Sequence, residues 1–446
     1  MKQREQFASK FGVVMVAVGS AVGLGNIWRF SYILGVIGGG AFLVVYVLCI
    51  LFIGLPVLIS ELTIGRAAGE SAVSAFQELA PRSFWWLAGA VAVLACTMIA
   101  CYYPTVAGWS LGYAVESVTN RAAIASDPQA AFAAFSSGPK ALVYAGLALA
   151  ATVAILARGV TDGIERWSKV LMPALFAILA ILVVRSLTLP GAAEGVRFLF
   201  QPDFSELTVG GVLDALGHSF YSLSLGMGIM ITYASYMKKD MDLPQTTIAV
   251  VAMDTGVAIL AGLAIFPAVF ALGLDPAEGA GLVFVTLPGA FETMPLGAVF
   301  APLFFVLVFI AALTSLISIL QVPLALLEDR FGLSRGKGLV IVCAVVVCFG
   351  TPSVLAFGPL ADWQVFGTDY FTFLDRFANN ILLPIAALLG CLFVTFRMGA
   401  AASRAEFLTG ARHAGHFLAR VYPFAIRFIA PVAIAVILLR AAGVFA

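Results

Sequence analysis

Apolar runs of roughly 20 residues follow one another along the whole chain, and short polar connections separate them. An apolar helix of about 20 residues crosses the roughly 30 Å hydrocarbon core of a membrane. The pattern therefore predicts an all-α membrane protein with eleven transmembrane helices. We number these spans 1 to 11 and expect them near residues 11–34, 41–62, 86–116, 141–157, 168–188, 210–237, 246–272, 296–327, 338–356, 372–396 and 421–444.

Small and polar residues interrupt spans 1 and 6 near their middles, in the stretches GSAVGLGN from Gly19 and SFYSLSLGMG from Ser219. Such residues often serve only the close packing of membrane helices. Interruptions at corresponding places in two halves of a chain instead indicate an inverted repeat, with a binding site where the broken helices meet. We expect one transmembrane domain over residues 1–446, with five-helix inverted repeats at about 11–188 and 210–396 and an extra helix at about 421–444.

Hydrophobic residues make up 62% of the chain and charged residues 11%, where soluble domains average roughly one half and one quarter. The longest polar connections are too short to hold a soluble domain. Lysine and arginine concentrate in one alternating set of connections, which places that side in the cytoplasm. We expect a multi-pass protein of the cell inner (plasma) membrane, with its N-terminus in the cytoplasm and its C-terminus outside.

The remaining composition narrows the function classes. No paired cysteine and histidine spacing and no glycine-rich phosphate loop occurs, so no enzyme motif is present. The net charge of +1 argues against a nucleic-acid partner. All six cysteines fall within predicted spans rather than in a disulfide framework. The expected partners are a small-molecule solute and membrane lipid, and the oligomeric state stays open.

Several long motifs carry a resemblance to a known family. They are GSAVGLGNIWRF from Gly19, GGGAF from Gly38, ELTIGR from Glu61, the pair Tyr102 and Tyr103, SLSLGMGIMITYASY from Ser222, and ALTSLISILQ from Ala312. Together, and in this order, they resemble the neurotransmitter:sodium symporter family over essentially the whole chain. The resemblance implies a bacterial transporter that couples the uptake of an L-amino acid to sodium by alternating access.

The resemblance further implies two Na+ sites at the broken spans. Carbonyl groups freed by unwinding, together with side-chain oxygens, suit such a cation. The first site would use the Ala21 carbonyl with Asn26, Ser222 and Asp254, beside the carboxylate of the solute. The second would use the carbonyls of Gly19, Val22 and Ala311 with the hydroxyls of Thr314 and Ser315. The alternative for these two hydroxyls is a bond back to their own helix.

Asp254 departs from the asparagine that is common in the family. A carboxylate within a span is energetically expensive and is therefore a functional candidate. In chloride-dependent members an anion near this position offsets the sodium charge, so a fixed carboxylate predicts a transporter that does not require chloride. The alternative is that Asp254 caps the cytoplasmic end of span 7.

The solute pocket implied by the resemblance combines polar groups for an amino acid backbone with an apolar wall. Its residues are Ser20, Ala21, Leu24, Gly25, Ile99, Tyr103, Tyr221, Ser222, Ser224, Met227, Ser315 and Ile319. Monoamine transporters carry an aspartate at the position of Ser20, so an amine without a carboxylate is a poorer candidate. Flexible Met227 replaces a phenylalanine of the bacterial leucine transporter and can make way for a bulky side chain. We expect hydrophobic, aromatic or branched L-amino acids.

Two charged pairs resemble the family's gates. Outside, Arg29 would pair with Asp375, or alternatively with Asp369, and Tyr221 would form a lid. Inside, Arg4 would pair with Asp329, supported by Tyr236 and Gln321.

Three further expectations complete the interpretation. Phe7 replaces a tryptophan that is usual in the family. Glu61 should satisfy amides of the broken helices, and His218 should be structural. The alternatives to sodium coupling are proton coupling through Asp254 and Glu61, and a receptor that senses amino acids without moving them.

Overall fold

The computed structural model describes residues 5–205, 207–276, 281–411 and 415–444. These residues are predominantly helical, and their one sheet is a two-stranded antiparallel hairpin that pairs Gln364–Val365 with Thr368–Asp369. The protein is thus predominantly helical, as its apolar runs predict.

Nine helices in the described part of the chain are long and apolar enough to cross a membrane. They correspond to spans 2 to 5 and 7 to 11, and their bounds are Gly40–Ala68, Trp86–Thr119, Pro139–Leu156, Val160–Leu187, Leu243–Ala271, Gly297–Phe331, Arg335–Leu355, Tyr370–Met398 and Gly415–Ala441. Span 1 is a pair of helices, Lys10–Ala21 and Gly25–Ile37, that meet at 49°. Counting this pair as one crossing gives ten spans rather than eleven.

Span 6 accounts for the difference, because it consists of two short helices, Val209–Ser222 and Ile229–Ala234. Neither helix is long enough to cross a membrane alone. Between them, Ser224, Gly226 and Gly228 all have positive φ angles, of 55°, 75° and 69°. A right-handed helix cannot continue through left-handed residues, so the chain must leave the helix here.

Shorter helices connect the spans outside the membrane-spanning segments. Their bounds are Ala72–Leu79 between spans 2 and 3, Arg121–Ser126 and Pro128–Ser137 between spans 3 and 4, Ala192–Phe200 between spans 5 and 6, Leu282–Glu292 between spans 7 and 8, and Ala400–Leu408 between spans 10 and 11.

Span 8 is the most buried of these nine helices. In its most apolar 18-residue stretch 78% is buried, whereas the value is 33% in spans 4, 5 and 11. The broken span 6 lies close against its neighbours. A Cβ added to Gly65 of span 2 would lie 2.0 Å from the carbonyl oxygen of Ile231, and one added to Gly226 would lie 2.3 Å from that of Leu383 in span 10. Such contacts hold the break and the second helix of span 6 against continuous helices.

Candidate functional site

A small cavity lies where the breaks of spans 1 and 6 face spans 3 and 8, and its volume is about 20 Å³. It is lined by Ser20, Ala21, Gly23, Gly25, Ile99, Tyr103, Tyr221, Ser224, Met227, Ser315 and Ile319. This set contains ten of the twelve residues that the sequence assigns to the solute pocket. The lining does not include Leu24 or Ser222.

Hydrogen bonds join the two breaks to each other and to spans 3 and 8. The Ser224 hydroxyl donates to the Ser20 carbonyl at 2.8 Å. The Leu24 N–H donates to the Tyr103 hydroxyl at 3.4 Å, and Tyr103 is also hydrogen-bonded to Ser315. The polar groups of the cavity are therefore backbone groups and neutral hydroxyls.

Asp254 lies beside this cavity at the centre of a buried cluster and is 0% exposed. Its carboxylate accepts hydrogen bonds from Asn26 Nδ2 at 2.7 Å and from the Ser222 hydroxyl at 2.9 Å. The Tyr46 hydroxyl donates to the same carboxylate at 3.4 Å. The structure thus brings three of the four groups of the first predicted sodium site into direct contact.

The alternative role of Asp254 as a helix cap is wrong. Span 7 begins at Leu243, and Asp242 is its N-cap, with the side chain accepting a hydrogen bond from the Gln245 N–H at 2.9 Å. Asp254 lies well inside the helix, where its carboxylate has no free backbone amide to cap.

The second predicted sodium site lies where the break of span 1 contacts span 8. A Cβ added to Gly19 would lie 3.5 Å from Thr314 Cβ, and one added to Gly23 would lie 2.3 Å from Ser315 Oγ. The Thr314 hydroxyl donates to the carbonyls of Ile310 and Ala311, both at 3.1 Å, as the back-bonding alternative requires. Its oxygen lone pairs remain acceptors, so this bond is compatible with a cation ligand.

The outer side of the cavity is closed by Tyr221. The Arg29 guanidinium carbon lies 4.9 Å from the centre of the Tyr221 ring, within the range of a cation–π contact. Tyr221 also lines a second, outer cavity of about 360 Å³, together with Arg29, His218 and Asn379. One aromatic ring therefore separates the two cavities, which is the place expected of a lid.

No ion pair joins Arg29 to Asp375 or to Asp369 among the residues that the structure describes, and Arg29 Nε has no hydrogen-bond partner there. The Asp375 carboxylate accepts a hydrogen bond from Asn379 Nδ2 at 2.7 Å. Asp369 instead caps the outer end of span 10 by accepting from the Thr372 N–H at 2.9 Å. Asp369 is thus engaged in a structural role.

The inner predicted pair cannot be compared directly, because Arg4 lies outside the described residues. Asp329 accepts a hydrogen bond from the Ser71 N–H at 2.9 Å. Gln321 donates to the Tyr236 hydroxyl and accepts from Arg335, both at 2.8 Å. The predicted supporting residues therefore do contact each other.

Phe7, which stands in place of the usual tryptophan, is fully buried. Its ring centre lies 5.9 Å from that of Tyr236 and 6.2 Å from that of Tyr233. Its N–H also donates to the Tyr236 carbonyl at 3.1 Å. The smaller ring thus still packs against the inner half of span 6.

Glu61 behaves as the sequence predicts, because its carboxylate accepts a hydrogen bond from the Gly226 N–H at 2.7 Å in the break of span 6. His218 is buried between the rings of Phe30 and Tyr46, at 6.0 and 5.3 Å. It also lines the outer cavity.

Sequence reasoning missed two residues near these sites. Tyr46 falls within the apolar pattern of span 2, and the one signal of its polar role is that a buried tyrosine hydroxyl usually needs a polar partner. Glu165 accepts hydrogen bonds from the Ala8 N–H at 2.7 Å and the Ser9 hydroxyl at 2.8 Å. It thereby holds the beginning of span 1 against span 5, and no local pattern indicated this contact.

Comparison with known proteins gives a consistent result. The model of the sodium:neurotransmitter symporter family matches residues 4–129 and 140–445. An uncharacterized sodium-dependent transporter of Bacillus subtilis is 40% identical over 98% of this chain and 98% of its own length. A sodium- and chloride-dependent taurine transporter of Bos taurus is 27% identical over 89% of this chain and 72% of its own length.

A solved structure extends the likeness to three dimensions. The crystal structure of MhsT in complex with L-phenylalanine superposes with a TM-score of 0.90 at 42% identity, over 98% of this chain and 100% of that chain. The two proteins are therefore similar both in the arrangement of their helices and in sequence.

Proposed function

Because this chain belongs to the sodium:neurotransmitter symporter family, a family of sodium-coupled transporters rather than enzymes, we propose that it carries large hydrophobic L-amino acids. The observation that supports this most directly is the lining of the central cavity. Polar groups at one end suit an α-amino acid backbone, while Ile99, Met227 and Ile319 form an apolar wall. The relative MhsT was crystallised with L-phenylalanine.

Charge selects against other solutes. None of the residues that line the central cavity is ionisable at neutral pH, so a lysine or glutamate side chain would be buried without a partner. That burial costs several kcal/mol, enough to exclude both at ordinary concentrations. Ser20 likewise offers no carboxylate to an amine that lacks its own.

We propose two Na+ sites, and the chemistry of the first fits a monovalent cation. In the described part of the chain no three acidic, histidine or cysteine residues converge as a metal site, so Asp254 supplies a single negative charge. The other ligands would be neutral: Asn26, Ser222 and the Ala21 carbonyl. The second site would use the carbonyls of Gly19, Val22 and Ala311 with the hydroxyls of Thr314 and Ser315.

Asp254 supports a transporter that does not require chloride. Its fixed charge lies within hydrogen-bonding distance of Asn26 and Ser222, where a bound cation would need compensation. A mobile anion is then unnecessary at this place. Tyr46 and Ser222 donate to the carboxylate and keep it desolvated but hydrogen-bonded.

Transport would proceed by alternating access between the two predicted repeats in the inner membrane, with the N-terminus in the cytoplasm. Solute and sodium bind at the breaks, Tyr221 and Arg29 close the outer side with Asp375, and the inner side then opens. Opening requires Phe7 to leave Tyr236, and Asp329 to part from Ser71 or from Arg4.

Uptake into sealed vesicles tests the proposal. An inward sodium gradient should drive accumulation of labelled phenylalanine, and unlabelled tryptophan, tyrosine and leucine should compete where lysine, glutamate and glycine do not. Undiminished uptake in potassium or choline would contradict sodium coupling. Binding without accumulation would indicate a receptor, and uptake driven by a proton gradient alone would indicate proton coupling.

A further inference from the structure

A large apolar groove lies between the beginning of span 3 and the end of span 8, and it shares no lining residue with the central cavity. Its volume is about 610 Å³, within the range of roughly 300–1,000 Å³ that is usual for small-molecule sites. Its apolar lining comes from the beginning of span 3, the end of span 8 and the short helix Ala72–Leu79, and includes Val73, Trp86, Val93, Leu94, Leu326 and Phe331.

The mouth of the groove has the composition of a membrane–water boundary. Trp86 and Phe331 are exposed over 37% and 64% of their surfaces. Tryptophan is enriched at this boundary, where its ring is apolar and its N–H reaches water. We therefore infer that the apolar part of the groove faces lipid tails and that its rim lies at the level of lipid head groups.

A single positive charge stands at this rim. Arg330 lines the groove and donates to the Gln77 side-chain oxygen at 2.5 Å. No carboxylate among the described residues forms an ion pair with Arg330, so its charge has only a neutral amide as partner. A phosphate group is the complement that an arginine at a membrane surface binds well.

We propose that this groove binds one anionic phospholipid, with an acyl chain along Trp86 and Leu94 and the head group at Arg330. The basic ends of the spans face the leaflet that carries anionic lipids, which attract each nearby basic side chain. The proposal needs only insertion in the membrane and this orientation, and does not depend on which solute is carried.

Trp86 provides a built-in reporter. The full-length protein is reconstituted into phosphatidylcholine vesicles that contain a small, fixed fraction of phosphatidylglycerol or phosphatidylcholine brominated on the acyl chain. Bromine quenches tryptophan fluorescence at short range, and subtracting the signal of Trp86→Phe isolates Trp86. Because the bromine is on the chain, a phosphate ion bound alone gives no signal.

We expect brominated phosphatidylglycerol to quench Trp86 about fivefold more efficiently than brominated phosphatidylcholine, as one basic side chain would give. Arg330→Gln should bring this ratio to about one, and Arg330→Lys should keep it. Arg82→Gln is the matched control, because Arg82 is exposed near the same helix but does not line the groove. It should leave the ratio unchanged.

Equal quenching by the two lipids in the wild type would overturn the proposal, whatever the behaviour of the variants. So would an equal loss in Arg82→Gln and Arg330→Gln, since the basic surface as a whole would then attract the lipid.

Discussion

At the scale of single residues, Asp254 brings a negative charge into a site whose other groups are neutral. Its carboxylate is fully buried, and its hydrogen-bond partners are the side chains of Asn26, Ser222 and Tyr46. All three are neutral, so the negative charge would be balanced by a bound cation.

For Asp254→Asn we expect the sodium affinity that supports uptake to fall by about 10-fold or more. The bound cation would lose the attraction of the carboxylate, which is worth up to several kcal/mol in a dry site. Chloride should partly restore the variant, whereas wild-type uptake should be the same when gluconate replaces chloride. The measurement is sodium-dependent uptake of labelled phenylalanine in the two anions. A wild-type protein that stops without chloride would contradict the assignment.

A substitution at Thr314 distinguishes a sodium ligand from a hydroxyl that only bonds back to its own helix. Replacing it by valine keeps the shape, so the sodium concentration for half-maximal binding should rise, by roughly 10- to 150-fold for one lost ligand bond of about 1.5–3 kcal/mol. Thr63→Val is the matched control, because the Thr63 hydroxyl is equally buried and donates to the Ile59 carbonyl of its own helix at 2.6 Å. Thr63 belongs to neither predicted sodium site. Equal sodium titrations of the two variants would favour the purely structural role.

Met227 lines the apolar wall and should set the size of the solute. A phenylalanine here cannot rotate away as an unbranched methionine does. Met227→Phe should therefore weaken tryptophan and tyrosine binding more than leucine and valine binding, by roughly 10-fold. Competition binding of these four amino acids to both forms measures this. An equal loss for all four would show that Met227 does not select for size.

At the scale of elements, the breaks were predictable because glycine, serine and asparagine are conspicuous in an apolar run. The beginning of span 5 was not. Span 5 starts at Val160 rather than near residue 168, because Val160 and Glu165 bond to the distant N-terminal segment. The partner of Tyr46 could not be predicted for the same reason, since Asp254 lies five spans away. Local sequence patterns thus predict where a helix breaks. The bounds of a helix with a polar end depend on long-range contacts, which local patterns do not show.

The break of span 6 should be intolerant of a side chain. Gly226 combines a φ of 75° with 2.3 Å between an added Cβ and the Leu383 carbonyl, so Gly226→Ala should cost about 2 kcal/mol or more. A lower melting temperature in detergent is the expected result. In Gly146→Ala of span 4 an added Cβ would contact nothing within 4 Å, so its melting temperature should be unchanged or higher. Equal melting temperatures of the Gly226→Ala and Gly146→Ala variants would show that the break of span 6 tolerates a side chain at Gly226.

At the scale of the whole molecule, we expect the proposed outer gate residues to act on closure rather than on binding at the site. Arg29→Ala and Asp375→Ala should lower the uptake rate several-fold more than they lower equilibrium binding, since a closing pair affects the closed state. Asp369→Ala should instead cost about 1 kcal/mol of stability, as the loss of a helix cap does. Parallel uptake and binding measurements on the three variants distinguish these roles. If only Asp369→Ala slows uptake, Asp375 is not the partner of Arg29.

The small volume of the central cavity has a kinetic consequence. About 20 Å³ holds roughly one water molecule, so a solute as large as the proposed aromatic amino acid can enter only after the walls of the cavity have moved apart. Association is then limited by how often the walls separate rather than by how often solute arrives. At high solute concentration the observed binding rate should level off at a value that is the same for every solute, and affinity differences among solutes should lie in their rates of departure.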